Sequence, residues 1–250
     1  MAKRRTKRKQ SRGAGILLVL LGLFVGTAYW QPELILPEPL AAWVEQWAAS
    51  GTTLEDLPEY AGEPYVVLCG GEPDFSEEER TTAEVYEHYA ELDWLGRCGA
   101  AEALIGTELM PTEERGSIGM VKPSGWHTTR YDDLISGNYL YNRCHLIGYQ
   151  LTGENANKCN LITGTRYLNV EGMLPFEDEV ADYIQETGDR VLYRVTPDFR
   201  GEELVARGVQ IEALSLDSDE ICFNVYCYNV QPGVEIDYLT GESWRAEEVG

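Results

Sequence analysis

Four polar residues between positions 143 and 177 have the types and spacing needed to hydrolyse a phosphodiester. His145 is a candidate general base, since neutral imidazole is available near pH 7. Asn169 offers an amide oxygen of the kind that Mg²⁺ accepts, and Glu177, eight residues later, is a candidate to hold the waters of such an ion. The guanidinium of Arg143 carries a fixed fork of donors that matches a phosphate. Each residue alone is commonly structural, so the hypothesis rests on the set.

The sequence predicts a strand, a polar loop and a helix that bring these side chains together. An alternating run over residues 139–143 predicts a short strand that delivers His145 just past its end. Asn169 is expected in the Gly-containing loop that follows. Pro175 suits an early helical position and Gly188 suits the C-terminal cap, so Glu177 is expected on the intervening helix.

The tetrapeptide Asn142-Arg143-Cys144-His145 resembles the Asp-Arg-Gly-His signature of the DNA/RNA non-specific endonucleases. The likeness extends over roughly residues 63–242, and the separation of Asn169 and Glu177 matches that family. The chain is most similar to its Gram-positive secreted or surface branch, which includes streptococcal extracellular and DNA-entry nucleases. The resemblance implies an α+β fold of the ββα-metal type with a central antiparallel sheet.

The resemblance also implies an activity and a role for each residue. His145 is expected to act as the general base and Asn169 as the sole protein ligand of Mg²⁺, with Mn²⁺ as a substitute. Glu177 would support the waters of the metal, and Arg143 would lie near the scissile phosphate. The expected substrates are DNA and RNA, bound through their phosphates and cut without sequence preference. Three further cations are predicted backbone contacts: Arg115, Lys122 and Arg166.

Two positions depart from the signature. Asn142 replaces the usual Asp, which removes a carboxylate, and Cys144 replaces the usual Gly, which removes freedom to adopt positive φ. These departures keep open an alternative, a catalytically degenerate surface protein that binds nucleic acid during DNA capture. A structural envelope protein is a third hypothesis, but it leaves the spacing of His145, Asn169 and Glu177 unexplained.

Six cysteines permit up to three disulfides in an exported domain. The pairings Cys69–Cys98 and Cys144–Cys159 are predicted, with free buried thiols as the alternative. The chain has no Cys-x-x-Cys pair, so a structural zinc site is not expected. Nothing in the sequence predicts a small-molecule cofactor, because Cys69-Gly70-Gly71 lacks the lysine and the spacing of a phosphate-binding loop.

The N-terminal segment has the pattern of a membrane-targeting sequence. Residues 1–13 contain seven cations and no acid, and residues 14–30 contain no charge. This order predicts a signal anchor or a cleaved signal peptide, with the N-terminus in the cytoplasm and the remainder at the extracellular face of the membrane or secreted. Residues 31–62 are predicted to form a Pro-containing stalk, and residues 63–250 the endonuclease domain.

The charge distribution limits how nucleic acid can bind. The formal net charge is −22, and residues 31–250 carry 42 acids against 13 cations, which should repel a polyanion. Residues 110–170, however, carry six cations and five acids. We therefore expect a small cationic cleft on an acidic body, with few phosphate contacts and a modest dependence of binding on salt.

Overall fold

The structure is a computed structural model and describes residues 52–247 of the chain. The predicted basic head, membrane segment and most of the stalk lie outside these residues. Within residues 52–247, no helix is long and apolar enough to cross a membrane.

The described chain forms short strands, three α-helices and one π-helical turn. The strands are β1 (Tyr65–Val67), β2 (Tyr86–Tyr89), β3 (Ala101–Ile105), β4 (Tyr141–His145), β5 (Leu161–Thr165), β6 (Val191–Pro197), β7 (Gly208–Ser215), β8 (Cys222–Tyr228), β9 (Val234–Ile236) and β10 (Ser243–Arg245). The helices are α1 (Glu77–Arg80), α2 (Tyr149–Thr152) and α3 (Leu174–Thr187), and the π-helical turn is Leu168–Met173.

Six strands make one antiparallel sheet in the order β1-β8-β7-β6-β3-β2. The expectation of a mixed fold around a central antiparallel sheet is therefore confirmed. Its strands alternate between two faces, as the period of two requires. On β6, Val191, Tyr193 and Val195 belong to the main core, whereas Leu192 packs with Phe75 on the opposite face.

The helix predicted after the loop is present as α3. Pro175 lies in its first turn, and Gly188 adopts the left-handed conformation at its C-terminal cap with φ 77°. Val180, Ala181 and Ile184 are buried against the central sheet. This apolar stripe fixes the rotation of α3, so Glu177 keeps one orientation relative to the strands.

Strands β4 and β5 form a separate two-stranded antiparallel sheet beside α3. β4 begins two residues later than predicted, and His145 is its last residue, paired with Leu161. Cys144 and Ile162 face each other and belong to the main core. Strand, strand and helix are therefore joined by one apolar core, which holds the polar residues at their ends in place.

The two predicted disulfides are wrong, because all six cysteines are free thiols. Cys98 is buried and its thiol donates to the carbonyl oxygen of Leu161 at 3.3 Å, whereas Cys69 is exposed. Cys144 is buried and directs its thiol at Asn169, while its predicted partner Cys159 is only partly buried.

Candidate active site

The imidazole of His145 is held between the side chain of Arg115 and the backbone of Asn155. It is 5% exposed, and its Nε2 lies 2.8 Å from the carbonyl oxygen of Asn155. A carbonyl oxygen only accepts hydrogen bonds, so the ring proton is assigned to Nε2. Nδ1 is then the unprotonated nitrogen, and it accepts a hydrogen bond from Nη2 of Arg115 at 3.1 Å.

This environment keeps the imidazole neutral. Burial lowers the pKa of His145 to about 4, with the positive charge of Arg115 acting in the same direction and the hydrogen bond to Asn155 opposing it. The ring is therefore neutral at pH 7, as a general base requires. Its basic lone pair is also defined, because Nδ1 is the nitrogen without a proton.

We expect the imidazole of His145 to titrate near pH 4 in the folded protein without ligand. The protonated form is disfavoured by burial, so the neutral form persists well below the ordinary value of 6.5. The measurement is an NMR titration of the ring protons, with the resonance assigned from the spectrum of His145→Gln. A midpoint near 6.5 would show that the ring is solvated and that its Arg115 contact does not form.

Arg143 donates two hydrogen bonds to the backbone of the loop that contains Gly119 and Val121. Its Nη2 donates to the carbonyl oxygen of Gly119 at 2.9 Å, and its Nε donates to that of Val121. The guanidinium carbon lies 4.0 Å from the centroid of the Trp126 ring, a cation–π contact. The fork that was predicted to hold a phosphate is therefore partly occupied, and Arg143 also positions the loop.

A cavity of about 570 Å³ gathers most of the predicted residues. Apolar and aromatic side chains form part of its wall. The rest includes three arginines and two asparagines: Arg115, Arg143, Arg166, Asn142 and Asn169. Nδ2 of Asn142 is buried and has no hydrogen-bond partner among residues 52–247. A buried donor without a partner is costly, and this one belongs to a residue that lines the cavity. Lys122 lies outside this cavity and lines an adjacent one.

Asn169 lies in the π-helical turn rather than in the loop that was predicted. Its Oδ1 accepts a hydrogen bond from the thiol of Cys144 at 3.1 Å. Burial raises the pKa of Cys144 well above its usual range, with the negative charge of Glu177 adding to the effect, so the thiol keeps its proton. The side chain of Cys144 therefore occupies the space below the amide and orients its oxygen.

Glu177 lies two turns after Asn169. Two turns of regular α-helix take about seven residues, and the wider π-helical turn absorbs the eighth, so both side chains share one side of the helix. Gly148 permits the close approach of the carboxylate, since a Cβ there would lie 2.6 Å from Oε2 of Glu177. Burial raises the pKa of Glu177 to about 8, with Asp178 adding to the effect and Arg115 opposing it.

These oxygen donors fit a hard divalent cation. The amide of Asn169 and the carboxylate of Glu177 are of the type that Mg²⁺ takes, with waters completing its shell. A buried carboxylate whose pKa is raised by desolvation would be stabilised in its ionised form by a nearby cation. Within the described part of the chain, no group of three or more His, Cys, Asp or Glu residues is arranged to hold a metal ion.

Sequence reasoning missed the role of Asn155 and of the loop that meets it. Asn155 lies in the polar loop after β4, and its carbonyl oxygen fixes the tautomer of His145. Gly116 allows the loop to reach it, because a Cβ there would lie 2.8 Å from Nδ2 of Asn155. His127 and His88 lie away from this arrangement: His127 contacts the carbonyl oxygen of Thr240, and His88 is exposed beside Glu102.

Known proteins resemble this chain in fold and in part of its sequence. The profile of the DNA/RNA non-specific endonuclease family matches residues 77–216, a segment that contains Arg143, His145, Asn169 and Glu177. A deoxyribonuclease of Streptococcus dysgalactiae subsp. equisimilis is 36% identical over 109 residues, which cover 42% of this chain and 33% of that protein. The chain thus matches about a third of the length of that relative.

Solved structures of streptococcal nucleases superpose on the chain. NucA from Streptococcus agalactiae without metal gives a TM-score of 0.67 at 25% identity, covering 77% of this chain and 92% of NucA. The magnesium-bound form of NucA gives a TM-score of 0.67 at 24% identity, covering 82% of this chain and 96% of NucA. At this identity the likeness concerns the fold alone. Sda1 nuclease with a bound zinc ion gives a TM-score of 0.61 at 26% identity, covering 74% of this chain and 97% of Sda1. The chain belongs to the DNA/RNA non-specific endonuclease family.

Proposed function

We propose that this protein is a metal-dependent endonuclease that hydrolyses phosphodiester bonds of DNA and RNA without sequence preference. The observation that carries the proposal is the environment of His145, a neutral imidazole whose unprotonated Nδ1 meets Arg115 at the wall of a cavity lined by three arginines and Asn169. The strands β4 and β5 followed by the helical segment would form the ββα-metal unit. Mg²⁺ is the proposed metal and Mn²⁺ its substitute.

Asn169 and Glu177 would hold the metal, Asn169 directly through Oδ1 and Glu177 through waters. When bound there, Mg²⁺ supplies charge that stabilises the phosphate oxygens and an acidic water for the leaving oxygen. The thiol of Cys144 donates to the same Oδ1, so it fixes the orientation of the amide. The replacement of the usual glycine by Cys144 is thus compatible with a functional site.

Arg115 must leave Nδ1 of His145 before the imidazole can accept a proton. In the free protein the guanidinium occupies the lone pair that the reaction needs. A phosphate in the cavity competes for the same guanidinium through a stronger, charge-assisted hydrogen bond. Binding of the substrate would therefore turn Arg115 to the phosphate and free the base, which then takes a proton from the attacking water as the phosphorus–oxygen bond breaks.

The remaining cavity residues would bind the phosphate and place it. Arg166 and the free edge of Arg143 supply positive charge at the wall of the cavity. These contacts go to phosphate oxygens, which carry no sequence information. Cleavage is therefore expected at many sequences rather than at one.

We also propose that the protein is exported. The support is the order of a basic head, an uncharged apolar run and an acidic body, which is typical of a signal anchor or signal peptide. Protease added to intact cells should digest an anchored domain, and a cleaved domain should be found in the medium.

A plasmid assay tests the activity. The purified full chain should convert supercoiled plasmid to nicked, linear and then heterogeneous fragments in Mg²⁺, and EDTA should stop the reaction. RNA should also be degraded. Tight binding of plasmid with no cleavage at any concentration of Mg²⁺ or Mn²⁺ would instead favour the DNA-capture alternative.

A further inference from the structure

Most cations of the described chain are neutralised by acids. Of the 13 lysines and arginines in residues 52–247, seven form ion pairs with aspartate or glutamate, all of them arginines: Arg97, Arg130, Arg190, Arg194, Arg200, Arg207 and Arg245. On a body with so many acids, this pairing is the expected condition of an arginine.

Six cations within residues 52–247 form no ion pair, and five of them are concentrated in one region. Arg80 donates to the carbonyl oxygens of Phe75 and Pro73 and so has a structural role. The other five line two cavities: Arg115, Arg143 and Arg166 the first, Lys122 and Lys158 the second. No aspartate or glutamate of the described residues lines either cavity. Within residues 52–247, none of the five side chains is paired with a carboxylate, so their charges can attract an anion.

The two cavities lie on either side of one loop. Ile118 lines the first cavity, whereas Met120 and Lys122 line the second, which has a volume of about 400 Å³. Arg143 ties this loop to β4 through the carbonyl oxygens of Gly119 and Val121. The loop is thus held in place between the two positively charged cavities.

His145 contacts one residue that lines the first cavity and one residue adjacent in sequence to the lining of the second. On one side it contacts Arg115, which lines the first cavity. On the other side it contacts the carbonyl oxygen of Asn155, whose chain neighbour Ala156 lines the second cavity. A strand that passes the candidate base can therefore extend into both cavities.

We propose that the backbone of one nucleic acid crosses both cavities over residues 118–123, and that Lys122 and Lys158 bind phosphates flanking the one that is cut. This inference rests on the proposed nuclease function and extends it to a longer substrate. Binding would release counterions from each phosphate that is neutralised. The acidic remainder of the surface repels the polyanion and so favours this single path.

Anisotropy measurements on the full chain in EDTA test this path without cleavage. The probes are a fluorescein-labelled dinucleotide and a labelled DNA duplex of two helical turns. The double variant Lys122→Gln/Lys158→Gln should lose most of the gain in affinity from the short to the long probe. The slope of log affinity against log salt for the duplex should become shallower by about 2. Between about 50 and 200 mM salt, the variant should therefore lose about tenfold less affinity than the wild type.

The matched control is Arg200→Gln/Arg245→Gln, which removes the same charge from two exposed, ion-paired arginines. It should keep the wild-type slope, and urea unfolding should show that all variants are folded. A wild-type slope in the lysine variant, or an equal fall in both variants, overturns the path. A wild-type protein that binds along this path without cutting would refute the nuclease function alone, and one that cuts with no effect of the lysines would refute the path alone.

Discussion

Replacing His145 by alanine is expected to lower the rate of plasmid cleavage by about 10²–10⁴-fold, the usual contribution of a positioned general base. The pKa of His145 leaves Nδ1 unprotonated at pH 7, so this nitrogen carries the lone pair that can accept a proton. The alanine variant lacks it. The affinity for Mg²⁺ should change little, because the imidazole is proposed to act on water and not on the ion. Added imidazole should restore part of the rate by entering the space left by the ring.

The control for this variant is His88→Ala, which removes a histidine whose side chain is 62% exposed and lies on β2, outside the site. Its activity should equal that of the wild type. Urea unfolding of both variants checks that the loss is not a loss of folding. Near-full activity of His145→Ala would remove the residue from the mechanism.

Replacing Asn169 by alanine should act on the metal rather than on the proton transfer. Partners that only support a metal ligand typically cost about 10–100-fold in affinity when removed, so loss of the ligand itself should cost at least as much. The Mg²⁺ concentration that gives half of the maximal rate should rise by that factor. Direct binding of Mn²⁺, followed by its electron paramagnetic resonance signal, gives a readout that does not depend on activity.

Asn169→Asp provides the matched comparison, because it keeps an oxygen at the same position and adds a charge. It should bind the metal at least as well as the wild type. Equal metal affinity of Asn169→Ala and wild type would show that another group holds the ion.

Local chemistry explains which parts of the fold were predictable. Gly188 ends α3 as predicted, and Ser76 and Glu79 form a capping box at α1, because these residues satisfy backbone groups within one turn of chain. A strand of seven residues such as β8 is long enough for its alternation to be visible in the sequence. Strands β9 and β10 have three residues each, which do not establish a period.

The geometry of the site depends on contacts between distant segments, which the sequence pattern does not contain. The hydrogen bond from Arg115 to His145 joins residues 30 positions apart in the chain, and it gives Arg115 a contact with the candidate base in addition to its predicted contact with phosphate. Asn169 was predicted in a loop, but it lies in a π-helical turn that includes Gly172. In the structure that glycine permits close packing, since a Cβ there would be 3.3 Å from Cβ of Cys227.

Cleavage rate measured against Mg²⁺ concentration, for wild type, His145→Ala and Asn169→Ala in parallel, tests the central claim most directly. Our account predicts that His145→Ala keeps the wild-type midpoint with a far lower maximal rate. Asn169→Ala should shift the midpoint to higher Mg²⁺, and excess Mg²⁺ should recover part of its rate. A defect of His145→Ala that Mg²⁺ cures, together with an unchanged midpoint in Asn169→Ala, would contradict the assignment of base and metal ligand.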